Sequence, residues 1–73
     1  MPDLFTLVGT LKDVGRINQT EMTELWGTTM RPQYTDVLNI LVEKNLLTAD
    51  EKKSLAYPDV NRLYTYLQQK GVL

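Results

Sequence analysis

The chain has 73 residues, which is enough for one small domain with a single hydrophobic core, so we expect residues 1–73 to form one domain. It contains no cysteine and no histidine, so thiol chemistry, the commonest general base and the commonest metal ligand are all absent. We therefore predict a non-enzymatic protein with no catalytic residue, no metal and no cofactor, and the net charge of -1 argues against nucleic acid as its partner.

Apolar residues recur at helical spacing, and no stretch alternates as a half-buried strand would, so the chain is predicted to be all-α. In the first helix, at about residues 3–14, Asp3 is the predicted N-cap and Gly15 the stop signal. "NQTE" at 18–21 is an Asn-x-x-Glu capping box and opens a short second helix at about 19–26. The apolar stripe of the first helix comprises Leu4, Leu7, Val8 and Leu11.

The third helix, predicted at about 32–44, begins at Pro32 and has the most regular apolar stripe of the chain. "TADE" opens a brief fourth helix, and a fifth begins at Pro58 or Asp59 and ends at Gly71. The expected fold is a compact bundle of four or five short helices, in which the first three form a helix-turn-helix-like core. The segments "ILVEKNLL" and "YLQQKGVL" echo each other, which we interpret as shared helix-stop chemistry because two copies are too few for a repeat.

Residues 15–48, "GRINQTEMTELWGTTMRPQYTDVLNILVEKNLLT", resemble the helix-turn-helix of winged-helix regulators of the multiple-antibiotic-resistance-regulator type. In that family a "TQSELAE-L-G" helix leads through a turn into a recognition helix that ends "L-EKGL-T". The resemblance implies a small DNA-binding transcriptional regulator that acts as a homodimer.

The family resemblance also implies which side chains contact DNA. The recognition helix of such regulators lies in the major groove, while the preceding helix contacts the phosphate backbone. The side chains that would face the bases are Arg31, Gln33, Thr35 and Asn39, and Arg side chains suit guanine as Asn and Gln suit adenine. The side chains that would contact phosphates are Arg16, Asn18 and Gln19.

Three departures from the family pattern support an alternative function. The turn between the two helices is one residue longer than the usual family spacing, and Asp36 stands where the family often has a basic side chain. After Leu47 the family runs into the strands of a wing, whereas "TADEKKSLAYPDV" has a helical pattern, so we expect the wing to be absent or vestigial. The alternative is a helical protein–protein interaction module, such as an adaptor or inhibitor, with Ile40, Tyr57 and Tyr66 at its partner interface.

The aromatic side chains and the overall hydropathy complete the prediction. Trp26 is expected in the core, with its indole N–H bonded to a carbonyl or a water at the edge. The longest apolar runs are far shorter than the roughly 20 residues that span a bilayer, and "MPDLFTLVG" lacks the basic start of a signal peptide. We therefore expect a cytoplasmic protein that binds DNA or a protein and has no membrane partner.

Overall fold

The computed structural model describes residues 3–73 and is all-helical over that range. Its five helices, in chain order, are α1 (Leu4–Asp13), α2 (Gln19–Trp26), α3 (Tyr34–Glu43), α4 (Ala49–Ser54) and α5 (Val60–Lys70). The all-α bundle of short helices predicted from the sequence is confirmed. Helix α4 occupies the segment where the wing of a winged-helix regulator would begin.

The predicted helix caps are present. Asp3 and Asp59 each accept a hydrogen bond from a backbone N–H in the first turn of their helix. Asn18 and Thr48 form complete capping boxes, in which a glutamate three residues later returns a bond to the backbone N–H of the cap. The predicted start of α3 at Pro32 was wrong by two residues, because Gln33 keeps an extended backbone and the helix begins only at Tyr34.

The structure repeats one unit along the chain. A helix ends and its exit turn folds back, so that two successive backbone N–H groups donate to the carbonyl of one buried leucine. Leu11 accepts from Arg16 and Ile17, Leu41 from Leu46 and Leu47, and Leu67 from Val72 and Leu73. The echoing segments therefore share the helix-stop chemistry predicted from the sequence, and "TLKDVGRI" at 10–17 forms a third exit turn of the same kind, which the sequence comparison missed.

The exit turns are alike in backbone conformation, and the capping boxes at Asn18 and Thr48 occupy equivalent positions after the first two of them. Each exit turn contains one residue with positive φ, namely Gly15, Asn45 or Gly71. After the first two exits a capped helix follows, so the bundle consists of the hairpins α1–α2 and α3–α4 and the single helix α5. Equivalent positions of the first helix of each unit supply the centre of the core, where the fully buried side chains are Leu7, Val8, Leu11, Val37, Leu41, Leu63 and Leu67.

Candidate binding surfaces

The exit end, where α1, α3 and α5 finish, is held together by contacts between successive units. The Nζ of Lys44 at the end of α3 lies 2.6 Å from the carboxylate of Glu21 in the capping box of α2. Lys70, the equivalent residue at the end of α5, forms an ion pair with Glu51 in the capping box of α4 and donates to the backbone carbonyl of Leu46. Two lysines and two cap glutamates are therefore engaged in partly exposed contacts between successive units.

These contacts change the acidity of the cap glutamates. The hydrogen bond from Lys44 lowers the pKa of Glu21 below its usual value. Glu51 accepts from Lys70 and also from the hydroxyl of Tyr66, and these bonds lower its pKa to about 2. The same carboxylate raises the pKa of the Tyr66 hydroxyl. The exit end thus keeps both carboxylates ionised at neutral pH.

Arg16, a predicted phosphate contact, closes the exit end. Its Nε donates to the carbonyl of Val72 and its Nη2 to the carbonyl of Gly71, both at 3.0 Å. The side chain of Asn18 accepts from the backbone N–H of Glu21, whereas Gln19 is exposed. The side chains of Arg16 and Asn18 therefore already have internal partners.

The side chains predicted to contact bases lie beyond the C-terminal end of α2, in the α2–α3 loop and on α3. Arg31, Gln33, Thr35 and Asn39 are all exposed, and Gln33 makes no side-chain cap bond. Helix α3 itself carries two acidic side chains, Asp36 and Glu43, and no basic one. The structure therefore leaves this group of side chains accessible but does not surround it with positive charge.

The three residues predicted for a protein interface have different environments. Tyr57 is 78% exposed in the loop between α4 and α5. Ile40 and Tyr66 are half-buried and pack against the core, and the Tyr66 hydroxyl is engaged by Glu51. Only Tyr57 of this predicted set presents a large apolar surface to solvent.

A second aromatic surface lies on the α1–α2 hairpin. Phe5 in the first turn of α1 stacks on Trp26 at the end of α2, with ring centroids 4.4 Å apart and an interplanar angle of 11°. Beside this stack runs an open groove of about 420 Å³, here called the aromatic groove. It is lined by Phe5, Thr6, Gly9, Thr10, Lys12, Asp13, Met22 and Trp26.

The aromatic stack is only partly covered. Phe5 is 39% exposed, and Trp26 is half-buried where we expected a core residue. The indole N–H of Trp26 is shielded from solvent and has no carbonyl acceptor among the described residues, so its expected bond to a water stays a prediction. Sequence reasoning missed Phe5, although its position off the apolar stripe of α1 was a usable signal.

The second hairpin provides an internal control for this surface. At the position of Phe5 it has Thr35, and at the position of Trp26 it has Ala56, although the two hairpins share the same exit turn and a capping box at the start of their second helix. Gly9 corresponds to Asn39, and a Cβ added at Gly9 would lie 3.8 Å from the Trp26 ring. The hairpin architecture therefore forms without an aromatic stack, and the stack is specific to α1–α2.

Exposed apolar groups concentrate at the entry end, where α1, α3 and α5 begin. Three of the large exposed side chains are there: Phe5, Met30 in the α2–α3 loop with a φ of 58°, and Tyr57. Contacts across this end include the bond of 2.6 Å from the Tyr34 hydroxyl to the carbonyl of Leu55. The exit end is dominated by ionic contacts, so the two ends differ in chemical character.

No protein-family model matches the chain, and neither a curated protein nor a solved structure shows significant similarity to it. Within residues 3–73, none of the helices has the length and apolar character needed to cross a membrane. Over the same range, no cluster of carboxylates is arranged to hold a metal ion.

Proposed function

We propose that the protein is a non-enzymatic interaction module that binds a protein partner through the aromatic groove. The observation that carries this proposal is the difference between the hairpins. The second hairpin forms with Thr35 and Ala56, whereas the first has a partly exposed Phe5 and Trp26 at the same places. Aromatic side chains are enriched in protein interfaces because they add a large contact area at low entropic cost.

The distribution of charge supports a protein over DNA as the partner. Arg16, Lys44 and Lys70 are engaged in internal contacts. The exposed face of α3, which would enter the major groove, has Asp36 and Glu43 as its only charged side chains. Carboxylates facing phosphates oppose binding, since affinity for DNA depends on cations that displace condensed counterions. DNA binding through Arg31, Gln33, Thr35 and Asn39 stays a prediction of the family resemblance.

The experiment that distinguishes the two functions uses substitutions copied from the second hairpin. Phe5→Thr and Trp26→Ala install the residues that the second hairpin has at the equivalent positions, Thr35 on α3 and Ala56 just after α4. Proteins captured by the wild-type chain are identified, and direct binding of each purified candidate is measured by calorimetry. The same samples are titrated into mixed-sequence duplex DNA at low salt and followed by fluorescence anisotropy.

The interaction proposal predicts stoichiometric binding of one purified partner, weakened at least about tenfold by the double substitution, because aromatic side chains at an interface often contribute more than about 1 kcal/mol each. Arg31→Ala is the matched control and should leave that affinity unchanged. Duplex binding that Arg31→Ala weakens and that falls steeply with salt would instead establish the DNA-binding alternative.

A further inference from the structure

The loop between α2 and α3, residues 27–33, is the least anchored of the four connections between the described helices. Each of the other three connections contains a buried side chain: Ile17, Leu47 and Leu55. Residues 27–33 contribute no buried side chain. The hydrogen bond within the loop runs from the N–H of Met30 to the carbonyl of Gly27 and is long, at 3.5 Å. Opening this loop therefore breaks few contacts.

The same loop is strained in its closed form. Met30 has a φ of 58°, in the left-handed region that is costly for any residue with a Cβ, and it is 49% exposed, so packing offsets little of that cost. Pro32 keeps the opened loop from joining α2 and α3 into one helix, because proline lacks an N–H and disfavours helical backbone at the residue before it. The opened loop is therefore extended.

An extended loop is long enough to connect two separate copies of the bundle. At about 3.3–3.6 Å per residue, residues 27–33 span up to about 25 Å. The shorter extents of the molecule are 22 Å. The hairpin α1–α2 can therefore leave its own chain and reach the same place on a neighbouring copy.

The contacts that hold the α1–α2 hairpin in place can all be supplied by a second copy. The core cluster includes five buried side chains of this hairpin: Leu7, Val8, Leu11, Ile17 and Met22. Arg16 donates to the carbonyls of Gly71 and Val72, and Glu21 pairs with Lys44. Each of these partners lies beyond the loop in the chain, so an identical chain presents them in the same geometry.

From these observations we infer that two copies of the chain exchange their α1–α2 hairpins and form a domain-swapped dimer, with residues 27–33 as the hinge. The dimer keeps the core and the contacts of the exit end and releases the strain at Met30 in both chains, which favours exchange. The Phe5–Trp26 stack and the aromatic groove lie wholly within the hairpin and move with it. The inference is therefore independent of the proposed function.

The two ion pairs of the exit end make the exchange visible. Glu21 and Lys44 lie on opposite sides of the hinge, whereas Glu51 and Lys70 both follow it. The side chains of the two pairs are almost equally exposed, with 35% for Lys44 and 19% for Glu21 against 33% for Lys70 and 19% for Glu51. A carbodiimide, which joins a carboxylate to an adjacent amine, should therefore link both pairs, and the second pair is a matched internal control.

The test refolds an equal mixture of isotopically labelled and unlabelled chains from urea at high protein concentration. Dimer is isolated by size-exclusion chromatography with light scattering and treated with the carbodiimide. Cleavage at methionine then separates Glu21 from Lys44, and mass spectrometry determines the isotope of each linked fragment. We expect a dimer in which Glu21–Lys44 links join labelled to unlabelled fragments, whereas Glu51–Lys70 links contain a single isotope.

Three outcomes would overturn the inference. The first is a monomer at every concentration. The second is a dimer in which both ion pairs contain a single isotope, because the two copies would then associate without exchange. The third is a dimer with mixed isotopes in the Glu51–Lys70 links, because the chain would then open at another place.

Two glycine variants test the strained loop as the hinge. Met30→Gly removes the strain of the closed loop in both chains and should raise the dissociation constant of the dimer about tenfold or more. Thr29→Gly is the matched control, because it adds the same flexibility at the neighbouring position, where φ is not positive, and should have a smaller effect. No effect of Met30→Gly, or an equal effect of Thr29→Gly, would contradict the opening of a strained loop.

Discussion

Replacing Arg16 by glutamine should destabilise the fold, because the structure uses this side chain as a link between the first unit and the C-terminal exit turn. The guanidinium makes two hydrogen bonds to backbone carbonyls, one partly buried and one exposed. A bond from a charged donor contributes about 1.5–3 kcal/mol when buried and much less when exposed. We therefore expect Arg16→Gln to lower the free energy of unfolding by about 1–2 kcal/mol.

That loss is measurable in a domain of this size. A stability of about 0.05–0.15 kcal/mol per residue predicts about 4–11 kcal/mol for the whole chain. Each kcal/mol shifts the midpoint of thermal unfolding by about 4–8 °C in small domains, so Arg16→Gln should lower Tm by about 4–16 °C in a circular dichroism melt. Arg31→Gln is the control, since Arg31 is exposed, and it should change stability by less than about 0.5 kcal/mol. Equal melting of the two variants would refute the structural role of Arg16.

Three further predictions concern the exit end and the aromatic groove. Glu51 has a pKa of about 2 against an ordinary value of 4.5, so its contribution to stability is complete above about pH 4.5 and is lost as the pH falls towards 2. Urea titrations across this range should show a decrease in the free energy of unfolding that is smaller in Glu51→Gln. Gly9→Ala should stabilise α1 by about 0.5–1 kcal/mol, because alanine favours the helix and its Cβ would meet the Trp26 ring at 3.8 Å, an ordinary contact. Gly15→Ala should instead destabilise the protein by about 1–2 kcal/mol in the same urea assay, because Gly15 has a φ of 82°. Trp26→Phe should change stability by less than about 1 kcal/mol in urea unfolding, since the loss of indole contact is offset by removal of a shielded N–H with no protein acceptor among the described residues. A loss above about 3 kcal/mol would contradict that balance.

The helices were predictable because their signals are local. Asp3, Asn18, Thr48 and Asp59 are short polar side chains that satisfy the N–H groups of the first helical turn, and each caps a helix in the structure. The start of α3 was placed too early because Pro32 restricts only its own φ and leaves the next residue free to remain extended. Local chemistry therefore determines where these helices form, with an uncertainty of about two residues.

The repeated unit and the binding surfaces depend on contacts between distant parts of the chain. Nothing in the sequence around Arg16 indicates that its guanidinium bonds to carbonyls of Gly71 and Val72, and the family resemblance assigned it to phosphate instead. Tyr66 was predicted to lie off the apolar stripe, whereas it is half-buried against the core, and its bond to Glu51 was not foreseeable from spacing. The partner of a polar side chain is set by the packing of whole helices, which the local pattern does not specify.

Site-specific photocrosslinking at position 5 is the most direct test of the proposed interaction surface. A photoreactive phenylalanine analogue replaces Phe5 in one variant and Thr35, its counterpart in the second hairpin, in another. We predict a stoichiometric crosslink from position 5 to the purified protein partner, lost on Trp26→Ala, and none from position 35. Equal crosslinking from both positions, or crosslinking from position 35 to duplex DNA alone, would contradict the assignment of the Phe5–Trp26 surface as the binding site.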